Sequence, residues 1–257
     1  MNTAHNTAFR KQAPDGFLPP DWVLKKVRVA AQEGPTEDAD GFSAKTLGPQ
    51  WWKERGVNIQ LPTKNEDRQV LTRGDLFRQA DRVGDDEALL QFLWHVLAWG
   101  SGTSRRNNAQ RFSSCQQPES VALLRKAFEA ARASQVEEAY STLIRQGGGM
   151  IPWLGPAFFS KFLYFANGHR ETGDENACCL ILDARVARSL YLAGWSIAPT
   201  YRSETRNFSY NWYTETYVSY CQLLERWTTK VDRSTADMFE RALFHGPEPV
   251  THGAKTR

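Results

Sequence analysis

The sequence predicts a mainly α-helical protein, and three observations support this prediction. Apolar residues recur at helical spacing over long stretches, as in residues 85–99 and 155–167. Helix-starting residues precede several of these stretches, with Pro118 and Asp183 as examples, and glycines follow them. With 41% hydrophobic and 12% aromatic residues in 257, the chain can also bury a substantial core.

Residues 1–70 differ from the rest of the chain. They mix Pro, Gly, Asp and Lys with isolated aromatic residues such as Trp22 and Trp51. This composition predicts an irregular N-terminal extension of long loops and at most a short strand. We expect the aromatic rings to pack it on the core, and we expect its surface to be where a protein partner would dock.

Residues 71–245 form the predicted helical domain. Its first helices begin near Asp75 and at residue 85, and Gly100 to Gly102 end the second. Pro118 opens a helix that runs through Phe128. The stretch from Val136 to Arg145 is predicted as a further helix, ended by three consecutive glycines at 147–149. Such a run indicates a sharp turn or a close backbone approach.

Three more segments complete the domain. Residues 155–167 form an apolar helix, Asp183 caps a helix from Ala184 to Trp195, and the last long helix runs from Trp212 to Trp227. Residues 246–257 are polar and are predicted to form a flexible tail.

Lys161 is the only charged residue between Gly155 and Asn167. Its neighbours on the helix include several phenylalanines, so the ammonium is expected to lose water, which favours the neutral, nucleophilic amine. Asp183 follows a second apolar run and supplies a carboxylate. The alternatives are that Lys161 only extends its ammonium to the surface and that Asp183 is only a helix cap.

Composition argues against metal-binding and membrane-spanning proteins and leaves nucleic-acid binding open. The net charge of +3 permits nucleic-acid binding without requiring it. Four cysteines without Cys-x-x-Cys spacing argue against a zinc ribbon and a four-cysteine iron–sulfur cluster. No stretch approaches the roughly 20 apolar residues of a membrane span, and the N-terminus is polar. We therefore expect a cytoplasmic protein without a metal centre.

The order helix, glycine hairpin, helix and apolar run ending in Asp resembles the helix-hairpin-helix DNA glycosylase superfamily, in its 8-oxoguanine DNA glycosylase (OGG)-like branch. The resemblance covers residues 85–225, with the helix-hairpin-helix at 136–167. The family hairpin reads approximately Leu-Pro-Gly-Val-Gly; here Pro152 and Gly155 are kept and the first glycine is Trp153. The family's catalytic aspartate falls on Asp183.

The lysine departs from the family pattern. Bifunctional members usually carry it two residues after the second hairpin glycine, where this chain has Ala157. Lys161 lies one helical turn further along the same face and could reach the same pocket. Archaeal relatives that use a lysine in a comparable apolar helix are the closer analogy.

The resemblance also implies which residues bind DNA and which form the base pocket. Trp153 and Gly155 of the hairpin would bind a DNA phosphate, helped by a monovalent cation on hairpin carbonyls, with no other cofactor required. The segment 97–111 resembles the family's DNA-binding segment. Its candidate nucleic-acid contacts are Arg105, Asn107, Asn108 and Arg111, and the candidate base pocket consists of Trp94, Trp99, Phe159 and Trp212.

The function that the resemblance implies is excision of an oxidised or otherwise modified purine from DNA, by base flipping and lysine Schiff-base chemistry, with a lyase step. The alternative is a catalytically inactive OGG-like protein that binds nucleic acid or a nucleobase. Ala157 at the usual lysine position supports this alternative. A place in a bacterial anti-phage operon of the CBASS type also stays open.

Overall fold

The computed structural model describes residues 12–34, 42–43, 47–59, 63–64, 68–147, 149–169, 178–195 and 212–247. Within these ranges the chain is mainly helical, which confirms the predicted fold class. The helices are α1 (Asp21–Glu33), α2 (Pro49–Lys53), α3 (Arg73–Ala80), α4 (Asp86–Ser101), α5 (Asn108–Cys115), α6 (Pro118–Arg132), α7 (Val136–Thr142), α8 (Pro156–Asn167), α9 (Ala184–Leu192), α10 (Thr214–Thr228) and α11 (Ala236–His245). The predicted tail lies outside these ranges from residue 248 onwards.

The N-terminal part contains more regular structure than the sequence predicts. Helix α1 buries Val23 and Val27, which lie one turn apart, against α11. Three short antiparallel strands follow, β1 (Phe42–Ser43), β2 (Thr63–Lys64) and β3 (Arg68–Leu71), in the order β1-β3-β2. Ala30 and Ala31 extend the apolar face of α1 and are partly buried against the core; the prediction missed it because prolines, glycines and charged residues dominate this part of the sequence. Residues 1–11, part of the predicted docking segment, lie outside the described residues.

Helix α8 lies at the centre of the fold. It packs against α3, α4, α6 and α7, and Phe162, Leu163 and Phe165 are fully buried. A helix that is apolar on all sides is stable only when protein surrounds it. The central position therefore follows from the sequence of α8, and it places Lys161 inside the protein.

The hairpin between α7 and α8 is built on close backbone approaches. A Cβ atom on Gly147 would lie 1.9 Å from the Ser141 carbonyl oxygen, and one on Gly149 would lie 2.1 Å from that of Thr142. Only glycine fits at such distances, which confirms the predicted close approach at these two positions. The hairpin then turns at Trp153, where the Leu154 amide donates to the Ile151 carbonyl at 3.1 Å.

Residues 178–182 are extended and are held by side chains. The Tyr217 hydroxyl accepts a hydrogen bond from the Leu180 amide at 3.0 Å and donates to its carbonyl at 2.8 Å. The Tyr220 hydroxyl donates to the Ile181 carbonyl at 2.9 Å. Buried backbone groups need such partners, and here α10 supplies them. These hydroxyls fix the course of the chain into Asp183.

Two further features complete the fold. All four cysteines are buried and none of them is part of a disulfide: Cys115, Cys178, Cys179 and Cys221. In the described part of the chain, each helix is too short or too polar to span a bilayer.

Candidate active site

Lys161 lies in the interior, with 7% of its surface exposed. Its amine donates a hydrogen bond at 2.7 Å to the carbonyl of Ala157, one turn earlier in α8. Its stem lies against Gly100 of α4, where a Cβ atom would come within 2.9 Å of Lys161 Cδ. The side chain therefore stays inside the protein, which excludes the alternative that Lys161 only extends its ammonium to solvent.

The two carboxylate oxygens of Asp183 have different partners. Oδ1 accepts hydrogen bonds from the amides of Arg185 and Val186 at 2.9 and 3.1 Å, which makes Asp183 the cap of α9. Oδ2 lies 3.9 Å from Lys161 Nζ. This distance is too long for a direct hydrogen bond but short enough for strong electrostatic coupling. Asp183 is therefore both a cap and the partner of the lysine.

Burial lowers the pKa of the Lys161 amine, because desolvation disfavours the ammonium. The negative charges of Asp183 and Glu240 raise this pKa, and the positive charge of Arg73 lowers it. The net effect is a lowered pKa, so the fraction of neutral amine is larger than for an exposed lysine. A neutral buried amine beside a carboxylate can act as a nucleophile towards an electrophilic carbon.

A buried ion pair near the lysine was missed by the sequence analysis. Arg73 Nη1 of α3 lies 3.5 Å from Glu240 Oε2 of α11, and both side chains are buried. Glu240 Oε1 has no hydrogen-bond partner among the described residues. Burial raises the pKa of Glu240 to about 7; Arg73 opposes this shift, whereas Asp183 adds to it. The pair therefore influences the charge on Lys161.

One signal in the sequence could have found Glu240. It lies on the same helical face as Ala236 and Leu243, both buried apolar residues. A carboxylate at such a position is rarely buried without a partner or a function. Arg73 gives a weaker signal, because it only follows the Thr72 cap of α3.

Arg111 and Asn108, two predicted DNA contacts, face into the protein. The Arg111 guanidinium donates to the carbonyls of Trp153 and Arg106 at 3.0 and 2.9 Å, and to Asn108 Oδ1 at 2.7 Å. Asn108 is fully buried and also bonds with Ser101. In this structure they connect the segment 101–111 to the hairpin, and their contact with DNA stays a prediction.

Arg105 and Asn107 lie nearer the surface. Arg105 is exposed, and Asn107 is partly buried at the start of α5 with a φ of 62°. Asparagine adopts this left-handed conformation more easily than most residues. Arg111 donates to the carbonyls of both Arg106 and Trp153, so the exposed basic loop that contains Arg105 and Arg106 lies beside the hairpin. Both residues are placed where a nucleic acid could reach them.

The hairpin carbonyl of Trp153 does not fit the predicted monovalent cation. It already accepts a hydrogen bond from Arg111 Nε at 3.0 Å, and a cation coordinated there would be repelled by the guanidinium. The Ile151 carbonyl likewise accepts from the Leu154 amide. Arg111 thus brings a positive charge to the hairpin from the protein itself.

Two of the four predicted base-pocket rings, Trp94 and Trp99, pack on other aromatic residues. Trp94 packs on Phe112 with ring centroids 4.7 Å apart, and Trp99 packs on Phe165 at 5.3 Å. Both tryptophans are buried. They form part of the core in this structure, as aromatic residues commonly do, and their stacking on a base stays a prediction.

Phe159 and Trp212 lie on a different side of α8 from Lys161. Residues 159 and 161 are about 200° apart around a helix, and Phe159 packs on Tyr140 of α7 at 5.1 Å. With Trp153 and Gly155, Phe159 and Trp212 line a groove of about 440 Å³ along the hairpin, which we call the hairpin groove. It is separate from the pair formed by Lys161 and Asp183.

Comparisons with known proteins assign the chain to a family. Residues 40–244, well over half of the chain, match the family described as "Putative 8-oxoguanine DNA glycosylase OGG-like protein". Neither the curated proteins nor the solved structures include a match. The match begins within the N-terminal extension and includes the hairpin, Lys161 and Asp183. The chain therefore belongs to the OGG-like family of DNA glycosylase-like proteins.

Proposed function

We propose that the protein is a DNA glycosylase that releases a modified purine of the 8-oxoguanine type, with an associated lyase step. The observation that carries this proposal is the position of the buried Lys161 amine, 3.9 Å from the carboxylate of Asp183. A lowered pKa of the amine supports it, because only the neutral amine has a free electron pair.

In the proposed reaction, the Lys161 nitrogen forms a bond to C1′ of the extruded nucleotide while the bond from C1′ to the base breaks. The base leaves with the bonding electrons and takes up a proton. Asp183 stabilises the positive charge that develops on the sugar and accepts a proton from the attached amine. The nitrogen electron pair then forms a C1′=N bond while the C1′–O4′ bond breaks and O4′ takes up a proton, which gives a Schiff base. Loss of the 2′ proton, with the 3′ phosphate leaving with its bonding electrons, then cleaves the strand.

Borohydride trapping tests this proposal, because it reduces a Schiff base to a stable protein–DNA adduct. A panel of oligonucleotides with altered purines, in single and double strands, should contain at least one substrate that gives an adduct. Lys161→Ala should abolish the adduct, while Lys230→Ala, which alters an exposed lysine, should leave it unchanged. Binding without base release or adduct for every substrate would instead favour the inactive binding protein.

A further inference from the structure

The hairpin groove has an apolar floor and an exposed aromatic edge. Phe159 and Trp212 in its lining are buried, whereas Met150 and Trp153 are 50% and 56% exposed. Large apolar side chains that remain exposed beside a groove of this size commonly mark a binding surface. The volume of about 440 Å³ is sufficient for a flat ring system.

Trp153 adopts a backbone conformation that is unfavourable for its side chain. Its φ is 68°, in the left-handed region, at the third position of the turn from Ile151 to Leu154. Glycine is the usual residue at such a position, and a bulky side chain there is strained. The exposed ring contributes little burial to offset this strain. Strain maintained without a packing benefit points to a functional role for the indole.

Positive charges border the hairpin groove. Arg145 is exposed and lines it directly. Arg111 joins the carbonyl of Trp153 to that of Arg106 and lies over the Phe158 ring. The exposed basic loop with Arg105 and Arg106 therefore lies next to the hairpin but on the other side of α8 from Phe159. An aromatic platform bordered by cations complements a nucleic-acid strand, because the bases stack on the ring while the phosphates bind the cations.

The occupant of the hairpin groove is not the reacting base. Lys161 projects from α8 about 200° away from Phe159, towards Gly100 and Asp183. Roughly the thickness of one helix, on the order of 10 Å, separates the two sides. A few nucleotides of one strand cover such a distance. A base close to the reacting nucleotide can therefore reach the groove when it is unpaired.

We infer that the hairpin groove binds an unpaired nucleobase stacked on Trp153, so that the protein prefers DNA whose bases are unpaired beside the reacting nucleotide. This inference deepens the proposed function, on which it rests, by naming the class of DNA substrate. The stacking itself does not depend on catalysis, because the groove and Lys161 lie on different sides of α8.

Fluorescence of 2-aminopurine tests the inference, because stacking quenches this base analogue. Undamaged single-stranded oligonucleotides with 2-aminopurine at successive positions are titrated with the full-length protein, Trp153→Gly, Trp153→Phe and Leu192→Ala. Trp153→Gly removes the ring and suits the positive φ, so the fold should be retained. Leu192→Ala is the control, since Leu192 is similarly exposed.

Trp153→Gly should lose the quenching and bind about 5- to 150-fold more weakly, the range for losing one stacked base. Trp153→Phe should keep most of the quenching, and Leu192→Ala should match the unaltered protein. Unaltered affinity and quenching in Trp153→Gly, or equal affinity for a fully paired duplex, would overturn the inference. A dimer that dissociates in Trp153→Gly would also overturn it, because a second copy would then occupy the groove.

The two proposals can fail separately. Binding to undamaged DNA requires no chemistry, so loss of quenching in Trp153→Gly would support the groove even if no substrate gives a borohydride adduct. An adduct that depends on Lys161, combined with unaltered binding by Trp153→Gly, would support the glycosylase and reject the groove.

Discussion

Ser160 and Leu182 exchange two hydrogen bonds across the core. The Leu182 amide donates to Ser160 Oγ at 2.9 Å, and the Ser160 hydroxyl donates to the Leu182 carbonyl at 3.3 Å. Ser160 precedes Lys161, and Leu182 precedes Asp183. One side chain therefore joins the two backbone segments that carry the catalytic candidates.

Ser160→Ala should weaken this connection. The buried Leu182 amide would lose its acceptor, which costs about 1–3 kcal/mol of the free energy of unfolding. Small shifts between the two segments should also reduce borohydride trapping by about 10-fold, since nucleophilic attack depends on precise placement. Urea denaturation and trapping rates measure the two effects. Ser141→Ala removes a hydroxyl that is bonded within its own helix, and it should change neither the free energy of unfolding nor the trapping rate strongly. Equal losses in Ser160→Ala and Ser141→Ala would contradict the connecting role of Ser160.

Gly100→Ala should displace Lys161 without unfolding the protein. The added Cβ would lie 2.9 Å from Lys161 Cδ, the movable part of a flexible side chain. Alanine also favours the helix by about 1 kcal/mol relative to glycine, so the melting temperature should change little. Trapping should fall by about 100-fold, because a displacement near 1 Å is enough for such a loss.

Gly84→Ala is the matched control for this variant, since the methyl group that it adds would lie in open space. Normal trapping by Gly100→Ala would mean that the lysine reacts from another conformation.

The trapping rate should rise with pH and then level off at the lowered pKa of Lys161. Burial favours the neutral amine, and raising the pH increases its fraction until the amine is fully deprotonated. Asp183→Asn removes a charge that raises this pKa, so its plateau should begin at a lower pH. Its maximal rate should be about 100- to 1,000-fold lower, because the stabilising carboxylate is lost.

Single-turnover rates across a pH series measure both effects. A pH profile that does not move in Asp183→Asn would show that the two groups are not coupled.

Stability should decrease as the pH rises from about 4.5 to about 7, through the contribution of Glu240. The pKa of this carboxyl is raised to about 7, so the folded state binds more protons than the unfolded state in that window. Arg73→Met leaves Glu240 without its ionic partner and should cost about 3–5 kcal/mol at pH 8, where the carboxylate is charged. The loss should be smaller at pH 5, where Glu240 is protonated.

Chemical denaturation at the two pH values checks this prediction. Arg125→Met breaks a surface pair with Asp86 and should cost at most about 1 kcal/mol at either pH. The double variant Arg73→Met, Glu240→Met should be more stable than Arg73→Met alone, since no buried charge remains unpaired. A loss in Arg73→Met that is the same at pH 5 and pH 8 would contradict the buried pair.

The sequence predicted the parts of the fold that have strong periodicity. Helix α8 is apolar on all sides, and Asp183 precedes an amphipathic stretch, so both were placed correctly. Helix α1 was missed although Val23, Val27, Ala30 and Ala31 recur at helical spacing and pack on the core. The prolines, glycines and charged residues of the first 70 residues outweighed this apolar face in the prediction.

The candidate site was predictable only where the local sequence pattern determines it. The apolar surroundings of Lys161 predicted its burial, which the structure confirms. The orientation of Arg111 was not predictable, because its hydrogen-bond acceptor in the hairpin lies 42 residues away. In the sequence, Tyr217 and Tyr220 are only two positions of the last long helix. Their hydroxyls have a role only once residues 180 and 181 pass beside them.

The burial of all four thiols provides a native probe of unfolding. Burial raises the pKa of Cys115 to about 12 and that of Cys221 well above its ordinary range, so neither carries an appreciable thiolate fraction near neutral pH. Alkylating reagents attack the thiolate, and they should therefore modify the protein only after it opens. Mass spectrometry of the alkylated chain would count how many of the four sites become accessible together. Such counting distinguishes global unfolding from opening around one helix.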